Sequence, residues 1–275
     1  MYKLIAIDLD GTLLNSYGNV SENNKNAIKK AKSNGIEVVI ASGRNTTSCE
    51  NIANEIGANN YVIAGNGAQI YDIKNQEIIY DKYLDKSKIL EIVKLCEENS
   101  IYYSIYTENV IIARSLNYTL IFYNNENKKM QEGKKTHISI EEDVYKYIKN
   151  SNIDKFLKVT VCDNNKVIFS GIMKKLREIK EINVLEVEHM SRKVIQSGTD
   201  DVSIEYFYTE ITNKNADKWS AIECLINTLG INPQEVVAIG DNVNDKEMII
   251  GAGLRSCYGK WCTIHKRNGR CCNGK

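Results

Sequence analysis

Leu4-Ile5-Ala6-Ile7-Asp8-Leu9-Asp10-Gly11-Thr12-Leu13 decides the fold of this chain. Four apolar residues read as a buried strand, and the strand delivers two carboxylates and a glycine at its end. In open α/β sheets ligands collect beyond the carboxyl ends of the strands. Paired acids placed there suit a bound cation and a reacting phosphate better than they suit a core. Asp also ends strands as an ordinary turn former, so the pair takes its meaning from the rest of the chain.

Strand and helix alternate outward from this stretch. Residues 3 to 8 predict a strand, Glu22 to Asn34 a helix closed by Gly35, and Ile36 to Ala41 a second strand. Thr46 to Ile56 predicts a helix closed by Gly57, and Tyr61 to Ala64 a third strand. This order implies an α/β fold with a doubly wound parallel sheet and right-handed crossovers. From about residue 84 the rhythm changes. The helix Lys86 to Asn99 sets Ile89, Ile92, Val93 and Cys96 on one face, and a strand-like stretch runs from Tyr102 to Ala113. A polar patch, Tyr123 to Lys135, is followed by a helix near Glu141 to Lys149, a strand Leu157 to Val161 and a helix Val167 to Lys180. Two strand-like stretches, Leu185 to Gln196 and Val202 to Ile211, complete an α+β insert over 84–209. The first pattern resumes with helix Ala216 to Leu229, closed by Gly230, and strand Val236 to Ile239. The expected core is therefore discontinuous, 1–83 with 210–275.

At 275 residues and 43% hydrophobic content the chain can bury a substantial core. A formal net charge of +1 gives no bulk reason to expect a nucleic-acid or acidic-membrane partner. No apolar run approaches the length of a membrane span, and the start lacks a basic segment followed by a cleavable apolar stretch, so the expected location is the cytoplasm. Cys49, Cys96, Cys162 and Cys224 lie in apolar or helical segments and read as reduced core residues.

Three more strand ends carry chemistry. Val38-Val39-Ile40 runs into Ala41-Ser42-Gly43-Arg44, which puts a hydroxyl and backbone N–H groups at a helix entry where a phosphate can bind, or where Ser42 serves only as a cap. Lys218 falls in the first turn of its helix, where the dipole disfavours a cation unless an anion faces it. Gly240-Asp241-Asn242-Val243-Asn244-Asp245 comes directly after the strand Val236 to Ile239. Asp241 and Asp245, four apart, can share one face, or they form a plain acidic helix start.

Together these four sites resemble the haloacid dehalogenase superfamily of phosphotransferases. Within it they resemble the Cof-type branch (subfamily IIB), whose large α/β cap stands between the second and third motifs. The matching residues are Asp8-Leu9-Asp10-Gly11-Thr12-Leu13-Leu14, Ser42-Gly43-Arg44, Lys218, and Gly240 to Asp245; Asn66-Gly67-Ala68 also looks like that branch. Asn45 stands where the family often has proline, and Trp219 where it often has glycine. Lys214 competes for the third motif, but Lys218 has the better spacing.

The resemblance implies a Rossmann-like core and a Mg2+-dependent phosphatase acting on a small phosphomonoester, a sugar phosphate or other phosphorylated metabolite. It implies that Asp8 attacks phosphorus to form an aspartyl-phosphate. It also implies that Asp8, the backbone carbonyl of Asp10 and the Asp241 carboxylate hold the metal, and that Asp10 protonates the leaving oxygen and later activates water. Ser42, Gly43, Lys218 and Asn244 are implied to bind the phosphoryl group, with Asp245 supporting. A hard cation fits because a phosphate dianion repels an attacking carboxylate. The second acid, Asp10, points to phosphate-ester chemistry rather than dehalogenation, and the cap is implied to choose the substrate by covering the site. The alternatives are a phosphotransferase or mutase of the same superfamily and a non-catalytic binding protein. The oligomeric state is not legible.

Residues 255–275 hold six Lys or Arg, no acid, and four cysteines, whereas 1–254 carry 30 basic and 35 acidic residues. Where the resembled family continues with another core strand after Gly251-Ala252-Gly253-Leu254, this chain has Arg255-Ser256-Cys257-Tyr258-Gly259-Lys260-Trp261. One permissible choice of codons from Ser256 onward, read one base later, spells VAMGNGAPYIKEMADVVTE, which resembles that continuation. The expectation is a frameshifted end that lacks the last core strand and closing helix, with the catalytic motifs intact on a damaged scaffold. The competing reading is a metal-binding tail built from Cys257, Cys262, His265 and Cys271; a basic nucleic-acid tail is a further one.

Overall fold

The computed structural model describes residues 1–15, 17–185, 191–197 and 200–257. In chain order its elements are β1 (Leu4–Ile7), α1 (Glu22–Ser33), β2 (Glu37–Ala41), α2 (Thr46–Ile56), β3 (Tyr61–Ala64), β4 (Gln69–Asp72) and β5 (Glu77–Asp81). Then come α3 (Lys86–Glu98), β6 (Tyr102–Thr107), β7 (Val110–Ala113), α4 (Thr119–Lys129), β8 (His137–Ile140), α5 (Val144–Asn150), β9 (Phe156–Asp163) and α6 (Lys166–Leu176). β10 (Ile182–Val184), β11 (Ser191–Ser197), β12 (Asp200–Asn213), α7 (Lys218–Leu229), β13 (Val236–Gly240), α8 (Lys246–Gly251) and β14 (Leu254–Cys257) complete the order. Among the described residues no helix is long and apolar enough to cross a membrane.

Two compact units form. The first joins Met1–Lys82 to the chain from Asn215 onward, and the second is Tyr83–Lys214. The second boundary lies after Lys214 rather than after residue 209 because β12 runs on to Asn213.

The first unit is a seven-stranded sheet in the order β14-β13-β1-β2-β3-β4-β5. Its first five strands are parallel, and β4 and β5 add an antiparallel edge that the sequence pattern did not announce. That hairpin turns at Asp72, whose carboxylate accepts both the backbone and side-chain amides of Asn75. Strand alternation sends Leu4, Ala6, Val39 and Ala41 to one face against Ala221, Ile222, Leu225 and Ile226 of α7. Ile7, Val38, Ile40 and Val62 go to the other face, against Ile28 of α1 and Cys49, Ile52 and Ile56 of α2. The sheet is thus covered on both sides, which is why its strands read as continuous apolar runs. Chain order reverses at β1, which lies between β2 and β13, so the carboxyl end of β1 is the switch point where such sheets bind ligands.

β14 corrects one expectation. Leu254–Cys257 pairs in parallel with Val237–Gly240, so a last core strand is present. A short edge strand needs only backbone pairing and small inward side chains, and Ser256 and Cys257 supply them. The expected loss of the closing helix concerns 258–275, which lie outside the described residues, as do Cys262, His265 and Cys271 of the metal-binding alternative; its remaining member, Cys257, is buried in the core cluster that α7 packs against. Cys49, Cys96, Cys162 and Cys257 are buried free thiols, and burial pushes Cys49 up to about 12.

The second unit carries a sheet in the order β10-β12-β9-β6-β7-β8, with β11 pairing β12. One face packs Tyr103, Ile105, Val159, Val161 and Ile211 against α3, α5 and α6. The polar patch expected at 123–135 is largely helix: α4 covers Thr119–Lys129, with Leu120 its fully buried anchor. Its weak amphipathic pattern concealed it.

Candidate active site

β1 ends at Ile7, and Asp8 comes immediately after it, its backbone N–H still donating to Ile239 of β13 at 2.9 Å. The Asp8 side chain is buried between strand ends, and its Oδ1 accepts a 2.7 Å hydrogen bond from Lys218 Nζ. Lys218 is the first residue of α7, behind the N-cap Asp217, whose side chain accepts from Ser220 N. Its side chain is 0% exposed, and its ammonium also donates to Asp245 Oδ1 at 2.6 Å. A lysine at a helix start opposes the dipole, and two facing carboxylates explain it. Lys214, the competitor, belongs to the second unit and pairs there with Glu181.

Asp245 is fully committed. Its Oδ1 takes Lys218, and its Oδ2 accepts the backbone N–H groups of Asp241 and Asn242, each at 2.9 Å. That geometry suits a group that aims the lysine and braces the loop after β13. Asp241 accepts Thr12 Oγ1 at 2.9 Å. Gly11 has φ +94, and a Cβ there would stand 2.3 Å from Asp241 Oδ2, so only glycine lets the loop after β1 pass this close to the second acid.

Asp8, Asp241 and Asp245 each place a carboxylate oxygen within 4.8 Å of the others. Three buried or half-buried acids face one buried ammonium, so the cluster carries excess negative charge. Burial, reinforced by the Asp245 and Asp10 charges and opposed by Lys218, pushes Asp8 up to about 8. Burial also raises Asp241, against the pull of the Thr12 hydrogen bond. For Lys218 burial acts downward, but Asp245 and Asp8 outweigh it and hold the ammonium above its ordinary value. An all-oxygen set with uncompensated charge fits Mg2+, and Asp8 and Asp241 keep more free ligand capacity than Asp245.

Asp10 stands apart from this cluster. Its carboxylate is half-exposed and is gripped by Arg44, Nε to Oδ2 and Nη2 to Oδ1, both at 2.8 Å. The fork fixes the orientation of the carboxylate. Arg44 was part of the second motif, but no role attached to it from sequence, and its partner is 34 residues away. Ser42 is buried; its N–H donates to Ile63 of β3, and its Oγ accepts from Arg44 N at 3.2 Å. The expectation of several open amides in this loop narrows accordingly. Among the described residues the Gly43 N–H is the one of the three that makes no hydrogen bond. Asn244 lies at the far side of the loop after β13 and donates its side-chain amide to Asn66 Oδ1 at 2.9 Å. Thr12, Arg44 and Asn66 are the members that reasoning along the chain missed or left without a role. The spacing of the motifs carries no signal for such cross-loop pairs.

A family profile described as haloacid dehalogenase-like hydrolase matches residues 5–259. The chain belongs to that family. Phosphatase YwpJ of Bacillus subtilis (strain 168) is 31% identical over 260 residues, covering 91% of this chain and 87% of the relative. The 5-amino-6-(5-phospho-D-ribitylamino)uracil phosphatase YcsE of the same organism is 28% identical over 257 residues, covering 94% of this chain and 84% of the relative. The solved structure of a HAD subclass IIB sugar phosphatase, BT4131, shares the fold, with a TM-score of 0.69, 16% identity, and coverage of 94% of this chain and 88% of that one. This chain is accordingly a HAD-like hydrolase of the Cof-type branch.

Proposed function

We propose that this HAD phosphatase hydrolyses a small phosphomonoester, a sugar phosphate or a phosphorylated metabolite of similar size, with Mg2+ as cofactor and through an aspartyl-phosphate on Asp8. One observation carries the reading: Asp8 is buried at the carboxyl end of β1, held by Lys218 and close to the second acid Asp241. A carboxylate in that position is aimed rather than merely paired. Asp8, Asp241 and the backbone carbonyl of Asp10 would hold the metal. When bound, Mg2+ supplies the positive charge that offsets the phosphate dianion facing a carboxylate and steadies charge developing on the phosphoryl oxygens.

The protein groups then divide the work. An Asp8 carboxylate oxygen attacks phosphorus, and the bond to the leaving oxygen breaks as Asp10 donates a proton to it. Asp10, now ionised, takes a proton from water. The water oxygen attacks phosphorus, the bond between phosphorus and Asp8 breaks, and phosphate leaves with Asp8 regenerated. Arg44 keeps Asp10 oriented for both transfers. Lys218, Ser42, the Gly43 N–H and Asn244 bind phosphoryl oxygens, and Asp245 holds the lysine in line. The relative that acts on a phosphoribitylamino compound supports a small phosphorylated polyol or sugar as the substrate class.

The test is phosphate release from a panel of sugar phosphates and nucleotide-free phosphomonoesters, with and without Mg2+, for the wild-type chain and Asp8→Asn. Mg2+-dependent release by the wild type alone supports the reading. Equal release by both proteins would remove Asp8 from the mechanism. Preferential capture of the phosphoryl group by an added alcohol would favour a transferase or mutase.

A further inference from the structure

Four loops carry the proposed chemistry, and a fifth, Gly65-Asn66-Gly67, lies immediately after β3. Its three residues are all left-handed, with φ of 60, 60 and 91. Glycine reaches that region freely, and asparagine is among the few side chains that tolerate it. The turn is also in contact with three of the four motif loops. Gly65 N donates to the Arg44 carbonyl and Asn66 N to the Ser42 carbonyl, each at 2.9 Å, so two backbone bonds fasten the phosphate loop. A Cβ on Gly67 would fall 2.0 Å from the Asp217 carbonyl, which shows how tightly the turn lies against the cap of α7, next to Lys218. The third contact is made by a side chain: Asn66 Oδ1 accepts Asn244 Nδ2.

That last bond is informative because of what Asn244 lacks. Its Oδ1 is buried and has no hydrogen-bond partner, so the bond to Asn66 is the single protein contact that directs its amide among the described residues. A primary amide carries two N–H groups. Asn66, itself 6% exposed, takes one of them, and the other is left for a ligand oxygen.

We propose that Asn66 is a positioning residue of the active site: it orients the Asn244 amide so that its second N–H meets a phosphoryl oxygen, while its backbone holds the Ser42 loop in register. The role rests on the phosphatase reading and adds a residue that acts through Asn244 rather than by touching substrate. It also explains why asparagine, and not glycine, occupies a left-handed position in the middle of the turn.

Asn66→Gly separates the two functions of the residue, since glycine keeps φ near +60 without strain and removes only the amide. Asn66→Gly, Asn244→Ala and the double variant are compared with wild type by kcat and KM on a phosphomonoester, by calorimetric binding of orthovanadate, and by thermal melting. The expected result is a loss of about tenfold in kcat/KM and in vanadate affinity for Asn66→Gly at an unchanged melting temperature, the loss expected for one misdirected hydrogen bond to a charged group. The double variant is expected to be no worse than Asn244→Ala alone. Wild-type kinetics for Asn66→Gly, or losses that multiply in the double variant, would overturn the proposal. So would a loss that merely tracks a lowered melting temperature. Failure of the phosphatase reading looks different: the wild type would then neither bind vanadate nor exceed Asp8→Asn in phosphate release.

Discussion

Among the described residues two lysines are buried, one in each unit, and they are buried on different terms. Lys158, on β9, pairs with Glu210 of β12 and lies 4.7 Å from the centre of the Tyr106 ring, so one cation meets one anion and an aromatic face. Lys218 meets Asp8 and Asp245, with Asp241 close by, so one cation is surrounded by too many anions. Burying a matched pair is a structural arrangement that apolar residues of the same shape can replace. Burying an unmatched cluster is costly, and a fold retains it where a cation or a reacting group completes it. The count of charges around each lysine therefore separates a structural ion pair from the one proposed to serve catalysis.

The comparison breaks first at Asp8. Asp8→Asn is expected to lower kcat by at least about a thousandfold, as the loss of a covalent nucleophile does. It is also expected to leave the metal-free protein no less stable, because the folded state must hold Asp8 protonated up to about pH 8 and the neutral amide spares it that proton uptake; phosphate release and thermal melts read the two effects. A variant that turned over at the wild-type rate would return Asp8 to a structural role. Next come the lysines themselves. Lys218→Met and Lys158→Met each strand buried carboxylate and are expected to cost about 3–5 kcal/mol in urea unfolding. The double change Lys158→Met with Glu210→Leu is expected to restore stability to within about 2 kcal/mol and to spare activity, whereas Lys218→Met with Asp8→Asn stays inactive. Equal rescue of activity at both sites would erase the distinction.

A smaller effect sharpens it. Asp8 is raised from 3.8 to about 8 by burial, so between those values the folded, metal-free protein holds a proton that the unfolded chain has released. Stability then falls as pH rises across this window, by up to about 1.4 kcal/mol per pH unit, and levels off above it. Added Mg2+ is expected to flatten the decline by binding the folded state. Melting curves from pH 5 to 9, with and without Mg2+, check the sign. The smallest change is at the half-exposed pair: Arg44→Lys replaces a fork by a point charge, and kcat/KM is expected to fall about fivefold. An unaltered kcat/KM would show that Asp10 finds its orientation without the fork.

Each motif was legible because it is local. Asp8 and Asp10 end an apolar strand within ten residues of the start, Ser42 and Gly43 end another, and Asp241 to Asp245 end a third. Gly57 and Gly230 mark helix ends, and both close their helices in the left-handed conformation. The β4–β5 hairpin and α4 escaped because neither has a strong period: the strands of the first are only four and five residues long, with β5 half-exposed, and the other buries little beyond Leu120.

What the sequence by itself determined is the order of strands and helices, the alternation that covers a parallel sheet on both faces, and the acidic and hydroxyl side chains placed at strand ends, since all of these depend on neighbours a few residues away. Tertiary structure alone decided which lysine faces Asp8, that Arg44 grips Asp10, that Thr12 reaches Asp241 and that Asn66 accepts from Asn244. It also decided that Leu254–Cys257 joins the sheet. Those partners are up to 229 residues apart, and only the folded sheet, by gathering its strand ends at one edge, brings them within hydrogen-bonding distance.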